Sequence, residues 1–438
     1  MRAPRNLVCI WTIAANTVRE SIRSKLLYGL LFFAVLMIGS GTVAASLSYV
    51  ISDEDFFPKT NFISSLRLRT AYGESGKQPN FRDAITFFNT QTITVAGADQ
   101  PGITVGGTGN LDLKPEVSRE IEGGFEAAFF GSRAGLEVTY YQKTSQDLLI
   151  ARPLPPSLGL TQTQFDNLGE SENKGWEVML RGQLLDLRNA KLEVTATYAG
   201  NKTKLTDIGR LSTGEKISPI VFGVQRHVEG YPLGGYWDES FKYSDKNGDG
   251  IISRVNCPGQ AQVAGGPECE MELGPLSYLG QPLPTSEISI SPRLQLYNWL
   301  QLSALVDYKG GFKVFNNTER FRCNFGNCPA AYLSSSPLEN QAANLGQAMN
   351  TDAGYVEDGS FTKLREIAAT LTAPQAWANR MRTESLTLTL AGRNLATWTD
   401  YKGFDPEVNS QPGSNFGTSD FLTQPPLRMF SARINIGF

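Results

Sequence analysis

Asp245, Asn247 and Asp249 occupy the first, third and fifth positions of DKNGDGIIS, with Gly250 at the sixth. Oxygen ligands at alternate positions around a sharp glycine turn are what a calcium loop uses, because that hard cation gathers six to eight oxygens from a tightly curved chain. Its twelfth position, where a bidentate Glu belongs, is Asn256 here. The Asn-Gly and Asp-Gly pairs equally suit turns in a surface loop, since both accept φ > 0. Calcium is the single cofactor the sequence offers, and apart from it none is expected. Cys257 and Cys269, then Cys323 and Cys328, fall in two long connecting segments, while Cys9 stands apart. Neither pair has the C-x-x-C spacing of a zinc site, so disulfides in an oxidising compartment are expected, with the connectivity left open. His227 is the single histidine, a structural residue more readily than a catalytic one. No Ser/His/Asp or Cys/His set and no Gly-x-x-x-x-Gly-Lys-Ser/Thr loop occurs, so an enzyme is not expected. Forty basic against 43 acidic residues give a net charge of −3, which disfavours nucleic acid as a partner.

The elements that must carry these residues show a period of two. In LQLSALVDY, Leu300, Leu302, Ala304, Val306 and Tyr308 share one face, and Gln301, Ser303, Leu305 and Asp307 the other. In MFSARINIGF, Phe430, Ala432, Ile434, Ile436 and Phe438 alternate with Ser431, Arg433, Asn435 and Gly437. Such runs are strands with one apolar and one polar side. About twelve are expected, near 62–72, 118–130, 134–148, 173–184, 190–203, 219–229, 233–244, 284–297, 299–314, 359–372, 384–395 and 426–438. Short connections alternate with long ones, the layout of an antiparallel outer-membrane β-barrel with its short turns at the periplasmic rim. A soluble sandwich is the competing fold. It is disfavoured because the runs exceed the usual five or six residues and because Glu120, Glu122 and Glu126 alternate with Ile121, Gly123 and Phe125. Leu302, Ala304, Val306, Ile434 and Ile436 are expected to face lipid, and Ser303, Asp307, Arg433 and Asn435 the lumen. Tyr140, Tyr198, Tyr297, Trp299 and Tyr308 sit near strand ends, where aromatic girdles belong. Phe321, Phe325, Tyr332, Tyr355, Trp398, Tyr401 and Phe404 are loop aromatics able to stack on a sugar ring.

Residues 25–51, KLLYGLLFFAVLMIGSGTVAASLSYVI, carry no charge after Lys25 and follow Arg2, Arg5, Arg19 and Arg23. An apolar run of more than about 20 residues is expected to form a membrane-crossing helix, so residues 1–51 are assigned to a basic segment plus apolar helix and 52–438 to the barrel. The run is readable as an anchor, as an export signal cut after Val43-Ala44-Ala45, or as part of a chimera. A retained anchor conflicts with distance: the roughly 40 Å reach of an eleven-residue tether is several-fold short of a periplasm. The chimera is the reading preferred.

LRLRTAYGESGKQP (66–79), GNLDLKPEVSREIEGGFEAAFF (109–130), NKGWEVML (173–180), DKNGDGII (245–252), GSFTKLREIAATL and AGRNLATWTDYKGFDPEV (359–408) occur in order. Together they resemble the C-terminal barrel portion of the SusC/RagA-type TonB-linked outer-membrane receptors, over about residues 60–438. The resemblance implies import of a bulky nutrient, an oligosaccharide or a peptide, with a SusD-like surface lipoprotein as lid and outer-membrane lipids around the barrel. It implies that Phe430, Ile434, Ile436 and Phe438 form the C-terminal signal read by the barrel assembly machinery. Receptors of this type close at about 22 strands around a plug. The plug and the energy-coupling box have no counterpart here, so TonB coupling is not expected and the chain reads as a truncated or chimeric form. Residues 1–50 resemble the N-terminus of an ABC-type permease, which keeps an inner-membrane permease fragment open beside a non-transporting surface β-protein.

Overall fold

A computed structural model describes residues 43–438 apart from 59, 61, 156, 158, 160–162, 211–213 and 412–416. The described residues begin with β1 (Val43–Val50) and β2 (Ile63–Lys77), followed by a first long excursion bearing the hairpin β3 (Phe87–Val95) and β4 (Ala98–Gly107). The chain returns through β5 (Glu116–Phe129) and β6 (Ala134–Gln146), forms a second hairpin, β7 (Leu149–Pro153) and β8 (Thr163–Asn167), and continues through β9 (Glu170–Leu187) and β10 (Ala190–Asp207). The third excursion holds β11 (Ile220–Phe222), β12 (Gln225–His227), β13 (Gly235–Tyr243) and β14 (Met271–Gly280). After β15 (Ser286–Leu296) and β16 (Leu300–Gly310) come β17 (Lys313–Phe315), α1 (Asn317–Asn324), α2 (Leu338–Ala348) and β18 (Val356–Asp358), the fourth excursion. β19 (Phe361–Thr372), α3 (Gln375–Arg380) and β20 (Ser385–Thr399) lead into a fifth excursion over 400–428, and β21 (Met429–Gly437) ends the fold.

Eleven of these strands make one antiparallel wall, β1-β2-β5-β6-β9-β10-β15-β16-β19-β20-β21. Its registers turn the period of two into continuous rows. Leu66, Ala127, Leu136, Leu180, Ala196, Ile290 and Val306 are successive cross-strand partners on one face. Leu302, Ala369, Leu390 and Ala432 extend that face to the last strand. The large side chains Leu180, Ile290, Leu302 and Leu390 of these rows are exposed, Leu180 at 52%, as suits a surface whose solvent is lipid. No helix among the described residues is long and apolar enough to cross a membrane.

Two expectations need correction. The runs near 219–229 and 233–244 do not belong to the wall. They form the separate sheet β11-β12-β13-β14, because a soluble sheet with one buried face alternates just as a membrane strand does. Removing two strands together preserves the alternation of short and long connections, so every long excursion still leaves from the same rim. The described part of the apolar run, residues 43–51, is not the expected helix: Val43–Val50 are β1, paired with β2 from Val43 opposite Glu74 to Val50 opposite Arg67, and Ile51 begins a 3-10 turn. Ser46, Ser48 and the β-branched Val43 and Val50 favour that pleated edge over a helix, and the residues flanking the supposed cut after Ala45 are inside it. The rest of the basic and apolar segment, with Cys9 and most of the permease-like stretch, lies outside the described residues.

The excursions pack into a cap with cores of its own. Leu148, Ile150, Leu168, Leu205, Ile208, Ile217 and Ile220 join the second and third excursions. Tyr236, Phe315, Cys323, Cys328, Ala343 and Tyr355 join the third and fourth, as do Ile252, Cys257, Met271, Ala342, Leu345 and Met349. Phe312, Val314, Phe361 and Tyr401 bring the fourth and fifth onto the wall.

Candidate functional site

The second face of the wall is predominantly polar, with Met179, Leu305, Ala368 and Ala391 among its few apolar members. Ser75, Ser118, Ser145 and Ser171 are successive partners, with Ser118 Oγ 2.7 Å from Ser145 Oγ. One row lower come Gly73, Glu120, Lys143 and Asn173. Nearer the short turns, Arg67 pairs with Glu126 at 3.4 Å and Arg181 with Glu137 at 3.7 Å. These four and Arg293 border a cavity of about 690 Å³. Ser303, Asp307, Arg433 and Asn435 lie on this polar face as expected, opposite Arg293, Ser289, Thr389 and Thr387. Asn435 Nδ2 donates to Thr387 Oγ1 at 3.3 Å. Leu302, Ala304, Val306, Ile434 and Ile436 lie on the other face, opposite Leu294, Ile367, Ile290, Leu388 and Leu386.

Two quoted motifs that are distant in sequence meet where the cap closes on this polar face. Lys363, 2% exposed on β19, donates to both carboxylate oxygens of Asp405 at 2.7 Å and to Glu407 Oε2 at 2.6 Å. Arg365, two residues on and so on the same face, grips both oxygens of Glu407 at 2.6 Å and reaches Asp307 Oδ2 at 2.8 Å. Asp307 in turn accepts from Ser289 Oγ at 2.6 Å. Both cations lie near the Phe361 ring, Lys363 Nζ at 5.0 Å and Arg365 Cζ at 5.7 Å from its centroid. Burial alone would raise the Glu407 carboxyl, but hydrogen bonds from Arg365 and Lys363 hold it at about 2. Beside this clasp Tyr236, Phe312, Phe361, Glu407 and Thr418 line a smaller cavity of about 230 Å³. Tyr236 donates to or accepts from Thr418 Oγ1 at 2.6 Å, and burial pushes its phenol up to about 12. Lys363, Arg365 and the acidic pair in FDPEV are legible one by one, but nothing local in the sequence says that they meet.

The other candidates are placed as follows. Asp245 accepts backbone N–H groups from its own loop, Gly248 at 2.7 Å, Asp249 at 3.2 Å and Gly250 at 2.8 Å. Asn247 Oδ1 accepts from Asp249 N at 3.1 Å and Asp249 Oδ1 from Ile251 N at 2.8 Å. Gly248 and Gly250 have φ of 74° and 79°. Asn256 is turned to Val263 and Pro267, while the buried Glu270 accepts Lys246 N at 2.7 Å and Ser253 N at 2.8 Å. Disulfides join Cys257 to Cys269 and Cys323 to Cys328. Glu319, Cys323 and Cys328 cluster within 4.8 Å, but the bridge consumes both thiols a metal would need. His227 is buried, its Nδ1 accepting Gly234 N at 3.0 Å, and burial lowers it to about 4. Phe430, Ile434 and Ile436 lie on the exposed edge strand β21, with Phe438 just beyond. Of the aromatics expected in loops, Tyr355 and Tyr401 are buried in the cap and Phe321, Phe325, Tyr332 and Phe404 are exposed, whereas Trp398 belongs to wall strand β20, opposite Thr362, and is exposed there.

Residues 39–262 match the family model described as TonB dependent receptor-like, beta-barrel. The chain is 28% identical over 414 residues to TonB-dependent receptor P26 of Formosa agariphila, covering 84% of this chain and 38% of that one. It is 23% identical over 406 residues to TonB-dependent receptor SusC of Bacteroides thetaiotaomicron, with 84% and 38% covered. The RagAB peptide importer structure superposes with a TM-score of 0.69 at 22% identity, over 91% of this chain and 43% of that chain. The chain thus spans about two fifths of the length of the relatives it matches.

Proposed function

The chain belongs to the TonB dependent receptor-like β-barrel family, and from that premise we propose that it forms part of the wall and outer vestibule through which a bulky nutrient crosses the outer membrane. An oligosaccharide or a peptide is the proposed cargo. The observation that carries this reading is the predominantly polar second face of the wall, gathered under a cap that is fastened to it by the Lys363, Arg365, Asp405 and Glu407 clasp. A hydrated solute needs hydrogen-bonding groups along its whole path, and rows of hydroxyl, amide and carboxylate groups supply them. A SusD-like lipoprotein would seat on the cap, and the barrel assembly machinery would read the β21 terminus. The Asx-type hydrogen bonds of Asp245 and Asn247 support a turn-forming role for that loop.

The test is uptake of labelled oligosaccharides and labelled peptides by cells that depend on a receptor carrying these residues. Uptake of one class is expected, and it should fall when Asp405→Asn and Glu407→Gln are combined. A correctly assembled wall that imports neither class would leave surface display as the better reading.

A further inference from the structure

The outward face changes character just above its upper aromatic girdle. Tyr140 and Trp176 are cross-strand partners with ring centroids 4.8 Å apart. Gly200 faces Trp176 from β10, and the Tyr198 ring folds over Gly200 towards the long-excursion rim. One step higher on the same face Lys174 lies directly opposite Lys202, and one step beyond that Lys204 lies opposite Glu172. Like charges directly opposed across a strand pair are destabilising, so the arrangement needs an anion. Glu172 does not serve all three lysines: its Oε2 is 3.2 Å from Lys174 Nζ, and its Oε1 accepts Gln142 Nε2 at 2.6 Å. Among the described residues Lys202 and Lys204 have no hydrogen-bond or ion-pair partner, and both are exposed.

Height decides what that anion is. At about 3.3 Å per residue along a strand tilted by about 40°, Lys174 stands roughly 5 Å above Trp176. The polar layer outside the hydrocarbon is about 5–7 Å thick on each side, so Lys174 and Lys202 lie within it, while the Lys204 backbone, at roughly 10 Å by the same measure, stands just above it with a long side chain able to reach back down. Resting on the membrane-wall reading above, we propose that Lys174, Lys202 and Lys204 hold the phosphate of a lipid headgroup in the outer leaflet, with Trp176 and Tyr198 against the top of its acyl region. The surface continues the apolar belt, and its uncompensated positive charge complements a phosphorylated headgroup.

The experiment uses the full chain and a Lys202→Gln/Lys204→Gln variant, each inserted into vesicles of zwitterionic phosphatidylethanolamine with or without a phosphorylated glycolipid. Co-purified lipid is quantified by mass spectrometry, with Lys242→Gln/Lys246→Gln as a control in the third excursion. The wild type and the control should retain the phosphorylated glycolipid, the variant should retain about thirtyfold less, and all three should retain phosphatidylethanolamine alike. Equal retention of the glycolipid by the variant would overturn the site. So would displacement of the glycolipid's signal by millimolar inorganic phosphate alone, which would make a free anion the occupant. Failure of wild type and variant alike to enter either vesicle would instead overturn the membrane-wall reading, and this site with it.

Discussion

The wall and the cap use apolar residues in opposite ways. In the wall, Leu180, Ile290 and Ile434 point away from the protein and remain exposed; in the cap, Tyr236, Leu345 and Ala342 have no exposed surface at all. The wall's backbone is satisfied by ladders, and its apolar face waits for lipid, whereas the cap closes its own cores and two disulfides. One chain therefore contains a membrane-dependent part and a part stabilised as water-soluble proteins are. The two should respond to different perturbations, and only the clasp between them should respond to both.

Cutting the clasp is expected to have the largest effect. Lys363→Met leaves Asp405 and Glu407 facing each other without their buried cation, a loss of about 3–5 kcal/mol. Protease cleavage within the fifth excursion should rise while the wall stays assembled; an unchanged digestion pattern would refute the fastening role. Leu345→Ala, in a fully buried site of the cap, should cost about 2–5 kcal/mol and lower the cap's melting transition without reducing the amount of assembled wall. Reduced wall assembly would show that the two regions fold as one unit.

A substitution in the wall should do the reverse. Ile290→Arg, on the lipid face, should lower membrane assembly by about 2–4 kcal/mol, the cost of a cation near the bilayer midplane. Thr197→Arg, on the polar face opposite Ser289, should be tolerated. Equal yields of the two assembled proteins would overturn the assignment of faces. The smallest effect concerns acid. His227 is held near 4 by burial against an unfolded value of 6.5, so its contribution is full above 6.5 and is lost as pH falls from there through about 4. At pH 5 the cap should be about 2 kcal/mol less stable than at pH 7. Thermal melts followed by tryptophan fluorescence should show this drop in the wild type, and His227→Gln should flatten it.

Legibility in the sequence followed the same division. Wall strands such as β16 and β21 were readable because one face meets lipid and the other water, so every second letter reports its side. β11 to β13 read as wall strands because Tyr236 alternates with its neighbours for a different reason, burial against Phe315 and Tyr355, and their partner β14 lies in what reads as a connection. β1 was hidden inside an apolar run whose composition suits a helix until its partner β2 is known. The clasp was invisible because Lys363 and Asp405 are 42 residues apart, and nothing local in FTKLREI says which carboxylate will return to it. The disulfide partners were close enough in sequence to nominate, but their joining depends on how α1 and the loop over 245–270 fold back.

The number of strands in the wall has a directional consequence. Eleven strands joined only by antiparallel pairings leave β1 and β21 running the same way. These two edges cannot zip to each other in antiparallel register. A second copy turned about the membrane normal would present its β1 in that same direction, so it too would meet β21 head to head. Whatever polypeptide bridges the gap between these edges with antiparallel bonds must contribute an odd number of strands, and eleven more would bring the ring to the 22 of the large outer-membrane transporters.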